Sequence, residues 1–305
     1  MTKNKYFQDP SVSQFCTWLT STLPQLKICL NIKPSRFVPS GLHAVCNGIN
    51  QILGHYKWCT SAVPSGDWPN TKVYLTTLSQ GLQKAVASGN QPNTLQVCHD
   101  VLVWGGNRNW GTGAWPFLQK MASAGNLCQY LSNTGTALKL TTANTGTLAP
   151  PVSSMYSMLS KVHAVNATDG LPIYDSRVAA AIASLVELWR DSAGISQTPL
   201  PPSLSFQAIP SGNRSVLNLF PGAQNPGKLS YPNHQTPALW AGAMVRLGWL
   251  MECVLQSNPS ILSQCCANPT LAGRMHALEA ALFMIGYDVT CLNCALGGQQ
   301  KAKVQ

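Results

Sequence analysis

The chain has 305 residues, 45% hydrophobic and only 10% charged, so it can bury a sizeable core, and charge-driven disorder is excluded. Lys and Arg outnumber Asp and Glu by 20 to 10, a net charge of +10 that suits a polyanionic partner such as nucleic acid or an anionic membrane surface. The basic residues are scattered, so any binding face has to be assembled by folding.

In chain order, Val12, Phe15, Trp18, Leu19 and then Leu26, Cys29 and Leu30 predict two short helices split at Pro24. Leu42, Val45, Ile49, Ile52 and Leu53 predict a helix from Gly41 to Trp58 with Ser40 as N-cap. A loop at 64–69 precedes a helix from Val73 to Val86, which ends at Ser88-Gly89-Asn90. Thr94 to Trp104 reads as an apolar helix or buried segment and stops at the unusual loop Trp104-Gly105-Gly106-Asn107-Arg108-Asn109-Trp110-Gly111. Trp115 to Leu131 predicts another helix, and the Thr- and Gly-rich stretch 133–151 a flexible connector. A short helix from Met155 to Val165 carries Lys161. After the turn Asp169-Gly170-Leu171-Pro172, Asp175 opens a strong helix with Val178, Ile182, Leu185, Val186 and Trp189 on one face. Residues 194–237, dense in Pro, Gly, Ser and Asn, read as a long loop insertion. Helices over Pro237–Gln256 and Leu271–Ile285 close the chain. No alternating strand pattern persists, which predicts a mostly α fold. Its expected parts are an N-terminal helical portion (1–132), the connector (133–151), the site-bearing helices (152–290) and a C-terminal tail (291–305).

Eleven cysteines follow a polar N-terminus with no apolar stretch, which predicts a cytoplasmic protein whose thiols stay reduced. Cys291-x-x-Cys294 has metal-like spacing but no second pair, so neither a metal nor another cofactor is expected. No apolar run looks long enough to cross a bilayer, so no membrane partner is expected.

Ten acidic residues leave few candidates for acid, base or charge-stabilising work. Glu187, Glu252 and Glu279 lie within predicted helices and read as solvated. Asp175 differs, because it follows apolar Leu171-Pro172-Ile173-Tyr174 and stands at a helix start. Alone it reads as an N-cap worth about 1 kcal/mol, and Lys161 alone as a surface lysine. The catalytic reading of the two as a pair rests on what the segments that carry them resemble.

Ser160-Lys161-Val162-His163 together with Leu171-Pro172-Ile173-Tyr174-Asp175-Ser176-Arg177-Val178 resembles the core of the helix–hairpin–helix superfamily of DNA glycosylases, most closely its 8-oxoguanine-glycosylase-like branch. Trp104-Gly105-Gly106 and the stretch from Arg274 to Tyr287 are similar to parts of bacterial members. The resemblance implies a compact helical domain of that fold, here with a divergent hairpin: Met155-Tyr156-Ser157-Met158-Leu159 replaces the usual Leu-Pro-Gly-x-Gly, whose N–H groups hold a DNA phosphate. Phosphate binding must therefore come from elsewhere. The implied activity is excision of a modified base, an oxidised purine or a hypermodified phage base, leaving an abasic site; the second substrate implies anti-phage defence. Asp175 would stabilise the oxocarbenium-like sugar or orient water. Lys161 would attack the anomeric carbon and support strand nicking, provided its amine loses its proton. DNA with a modified base is the expected partner, the base being flipped into a pocket. Trp104, Asn107, Arg108, Trp110, His163, Tyr174 and Arg177 are the expected substrate-binding residues. Two rivals stand beside this reading: a helical module that binds nucleic acid or protein without chemistry, and a helical enzyme with a cysteine nucleophile, such as Cys98 beside His99.

Overall fold

The computed structural model describes residues 1–208, 212–224, 227–228, 237–267 and 269–296. Helices dominate it, as the apolar periodicity predicts. Helices α1 (Lys3–Phe7) and α2 (Pro10–Thr22) open the chain, and Asp9 caps α2 by accepting the Ser11 N–H at 2.9 Å. Strands β1 (Lys27–Ile32) and β2 (Leu42–Asn47) then pair antiparallel, Lys27 opposite Asn47 and Ile32 opposite Leu42. This pair corrects two expectations, a helix through Leu30 and a helix from Gly41 to Trp58; within the latter only α3 (Ile49–Gly54) is helical. Ile28, Leu30 and Ile32 are buried on one face of β1, a period of two too short to stand out in the sequence. Val45, expected on the buried face of a helix, is 74% exposed.

Helices α4 (Trp68–Ala87), α5 (Gln91–Trp104), α6 (Ala114–Ser123) and α7 (Leu127–Leu138) follow. The expected helix 115–131 breaks at Gly125, whose φ of +72° a side chain would resist. Helix α7 runs on into the stretch expected to be a connector, and the rest of that stretch is tied down. Leu140, Ala143 and Leu148 are buried, the Leu140 N–H donates to Asp169 at 2.7 Å, and the Trp249 indole donates to the Leu140 carbonyl at 2.8 Å.

Helices α8 (Ser157–Asn166) and α9 (Ser176–Ser192) carry the expected site. The periodic residues of α9 are buried, but so is Glu187, which accepts from Arg190 at 2.7 Å; its expected solvation is corrected. Short segments, including the parallel strands β3 (Gln207–Ala208) and β4 (Gly227–Lys228), lead toward α10 (Pro237–Ser257) and α11 (Leu271–Ile285). Of the expected insertion 194–237, residues 209–211, 225–226 and 229–236 lie outside the described residues, as do 297–305 of the expected tail. Helix α10 corrects the reading of apolar runs: by length and composition it suffices to cross a membrane, and 72% of its most apolar window is buried inside the fold. Its place in the structure is that of a core helix.

Residues from Tyr6 to Leu292 share one hydrophobic core. Disulfides tie its distant parts together, Cys16–Cys253 joining α2 to α10 and Cys29–Cys294 joining β1 to the segment after α11. The expectation that all thiols are reduced is thus corrected for four cysteines, and Cys294 is withdrawn from the metal-like pair. Disulfides persist in oxidising compartments and are rare in the cytosol, so the cytoplasmic expectation loses its argument from thiols.

Candidate functional site

The site begins at the turn before α9. Gly170 sits at φ +82°, and a Cβ there would lie 2.9 Å from Ala272 Cα, so the turn needs glycine for both conformation and space. Leu171 and Ile173 bury themselves, and the Tyr174 N–H donates to Ser160 Oγ of α8 at 3.3 Å. Trp240 of α10 holds the next polar group, its indole donating to the Tyr174 carbonyl at 2.8 Å. These bonds set residue 174 beside residue 160, and the following residue of each segment then meets its counterpart.

Lys161 Nζ donates to Asp175 Oδ2 at 3.1 Å, with the two side chains only 5% and 4% exposed. The other carboxylate oxygen caps α9, accepting the N–H of Arg177 at 2.9 Å and of Val178 at 3.1 Å. Burial works to raise the Asp175 pKa, but the charges of Lys161 and Arg177 and the Val178 N–H outweigh it and hold the carboxyl well below its usual range. Asp175 is therefore a fixed anion, unsuited to donate a proton and suited to stabilise positive charge.

The surroundings of the pair come from four separate stretches. Gly105, closing α5, lies against the Lys161 stem, and a Cβ there would be 2.6 Å from Lys161 Cδ. The Trp58 indole donates to the Trp104 carbonyl at 2.8 Å and the ring stacks on Phe37. Arg177 projects from α9 onto the faces of Trp58, Phe283 and Tyr287, with centroid distances of 5.1, 4.8 and 4.3 Å. Gly286 brings α11 against this turn: a Cβ there would be 1.8 Å from the Arg177 carbonyl oxygen. Glu279, expected in solvent, is buried; burial raises its pKa, His276 opposes, and Asp175 and Lys161 are near enough to act on it. Gly105, Trp58, Glu279 and Tyr287 were not singled out as site residues from the sequence. The signal available was a lone carboxylate in apolar Leu278-Glu279-Ala280-Ala281-Leu282.

The other expected substrate-binding residues are dispersed. His163, two positions after Lys161, points away from the pair into the contact with α7; its Nε2 lies 3.1 Å from the Tyr130 hydroxyl, and burial pushes its pKa down to about 3. Tyr174 is fully buried, its hydroxyl donating to the Gln207 carbonyl at 2.9 Å. Trp104 and Trp110 part company: Trp104 is buried, while Trp110 stands at the surface against His99 and Trp115 at 5.0 and 5.7 Å. Asn107 bonds to the Asn109 carbonyl within the loop, and Arg108 is exposed. Cys98 is buried, and burial pushes its thiol up, which disfavours Cys98 as a nucleophile.

A cavity of about 1100 Å³ opens between α4, the end of α8, the 264–267 segment and α11. Aromatic Tyr56, Trp68 and Trp104 wall it together with Ile173 and Glu279, and Lys72 lies at its rim with Nζ 2.5 Å from Cys266 Sγ. Lys161 and Asp175 do not line it; Trp104, the neighbour of Gly105, and Glu279 connect it to them. Among the described residues no group of His, Cys, Asp and Glu side chains could hold a metal. No protein-family model, curated protein or solved structure matches this chain.

Proposed function

We propose that the protein is a DNA glycosylase that removes a modified base to leave an abasic site, with Asp175 and Lys161 at its reacting centre. The observation that carries the reading is the 3.1 Å pair of Lys161 and Asp175, shielded from water and anchored to the first turn of α9. Breaking an N-glycosidic bond places positive charge on the sugar, and a carboxylate held ionised in a dry site is worth several kcal/mol against that charge. Asp175 meets both requirements. Lys161 keeps Asp175 ionised; to act as a nucleophile its amine must give up a proton and turn from the carboxylate toward the anomeric carbon. The adjoining cavity, with aromatic walls and a buried carboxyl, suits an extruded base and has room for a substituent on it. That capacity accommodates hypermodified phage bases as well as oxidised purines.

The test is incubation with a panel of duplexes that each carry one modified base, followed by alkaline cleavage and by borohydride trapping. Cleavage after alkali supports excision; a trapped adduct assigns Lys161 the covalent role, and cleavage without one assigns catalysis to Asp175 and water. A second reading, a binding module without chemistry, is favoured by one observation: the pair does not line the cavity. It predicts no cleavage of any duplex in the panel.

A further inference from the structure

On the reading of DNA as substrate, its phosphates need donors near Lys161 and Asp175, and two arginines lie there. Arg214 Nη1 donates to Ser176 Oγ at 2.8 Å, which brings this guanidinium over the first residue of α9, one position from Arg177. Arg177 has its ring contacts, and its buried Nε lacks a hydrogen-bond partner among the described residues, as does the buried Tyr287 hydroxyl. The two cations are mutually unfavourable, since the Arg214 pKa is lowered first by burial and next by the charge of Arg177. The Tyr287 pKa is pushed up to about 12, chiefly by burial, so its hydroxyl remains a donor. The carboxylate at hand, Asp175, is already taken by Lys161 and by two N–H groups, so the end of the helix is not itself free to hold an anion. Two half-buried arginines whose charges act on each other suit an acceptor of two or more oxygens.

We infer that Arg177 and Arg214, with the Tyr287 hydroxyl, form a binding site for one phosphodiester of the DNA strand that presents its nucleotide to Lys161 and Asp175. The inference rests on the reading of DNA as substrate. It makes Arg177 a strand-holding residue kept in place by Trp58 and Phe283, and it gives Arg214 a role that its loop does not suggest.

The experiment measures binding, so it needs no turnover. Fluorescence anisotropy of the full chain with a duplex carrying a tetrahydrofuran abasic analogue is recorded across a salt series, for the wild type, Arg177→Gln, Arg214→Gln, the double glutamine variant and Arg214→Lys. Thermal melts verify folding. Expected is a loss of about tenfold or more in affinity for the double variant, with a salt slope shallower by about 1 unit or more; Arg214→Lys keeps most of the slope because it keeps the charge. An unchanged slope in folded variants overturns the inference while leaving the glycosylase reading intact. A changed slope in a protein that cleaves no panel duplex keeps the phosphodiester site and overturns the glycosylase reading, and with it the presentation of a nucleotide to Lys161 and Asp175. Wild-type protein that binds polyglutamate but no DNA would assign the arginines to an acidic protein and overturn it.

Discussion

Asp175 performs two physical tasks with its two oxygens, and each has a measurable consequence. Removing its charge by Asp175→Asn leaves the Lys161 ammonium buried without a counter-ion, a defect that costs about 3–5 kcal/mol in comparable pairs; chemical denaturation of both proteins at neutral pH measures it. Because the folded carboxyl titrates below the unfolded one, Asp175 contributes fully above about pH 4 and its contribution drains as acidity increases below that. His163 acts in the same direction at higher pH. Folded, it stays neutral down to about pH 3, whereas the unfolded chain protonates it near 6.5. Stability therefore falls as pH drops from about 6.5 toward 3, by up to about 1.4 kcal/mol per unit. His163→Gln is expected to flatten the slope in urea melts at pH 7, 5 and 4, and an unaltered slope contradicts the burial argument. His163 also shows where residue-level reading stops, since helical geometry places positions 161 and 163 on different faces while their closeness in sequence suggested a shared task.

At the scale of elements, long apolar stripes were legible and short or composite features were not. Helices α4, α5, α9, α10 and α11 stand in the sequence because burial repeats along them for several turns. Strands β1 and β2 do not, since six residues each, partnered across a loop, give too short a pattern. That Lys161 and Asp175 meet could be expected because the segments that carry them resemble parts of one family core. Tyr287 and Gly105 escaped notice as site residues because only packing brings α11 and the end of α5 against that segment. Two substitutions separate support from chemistry. Gly286→Ala thrusts a methyl into the Arg177 carbonyl and is expected to destabilise the fold by several kcal/mol, lowering the melting midpoint. Gly105→Ala meets the movable stem of Lys161, so it is expected to reduce base release at least tenfold with little change in midpoint. A loss of stability without a loss of rate in Gly105→Ala would show that the lysine needs no such placement.

The whole molecule is one core held at its ends by long-range links. Nothing in the cysteine spacing shows that Cys16 meets Cys253 or that Cys29 meets Cys294, with sequence separations of 237 and 265. In the chain-entropy account, closures this long each stabilise by on the order of 5 kcal/mol. Peptide mapping without reductant is expected to recover both linked pairs, and reduction to lower the melting midpoint by on the order of 10 °C; recovery of eleven free thiols would instead restore the cytoplasmic argument. Part of the basic charge is gathered by folding: Lys161 pairs with Asp175, and Arg177 and Arg214 lie near enough for the charges to act on one another.

The most direct measurement of the central claim is single-turnover release of a modified base from the best duplex of the panel, compared between wild type, Lys161→Ala and Asp175→Asn under conditions where all three are folded. Asp175→Asn is expected to slow release by about 100-fold or more, and Lys161→Ala to abolish any borohydride-trapped adduct. Base release at the wild-type rate by folded Asp175→Asn contradicts the account.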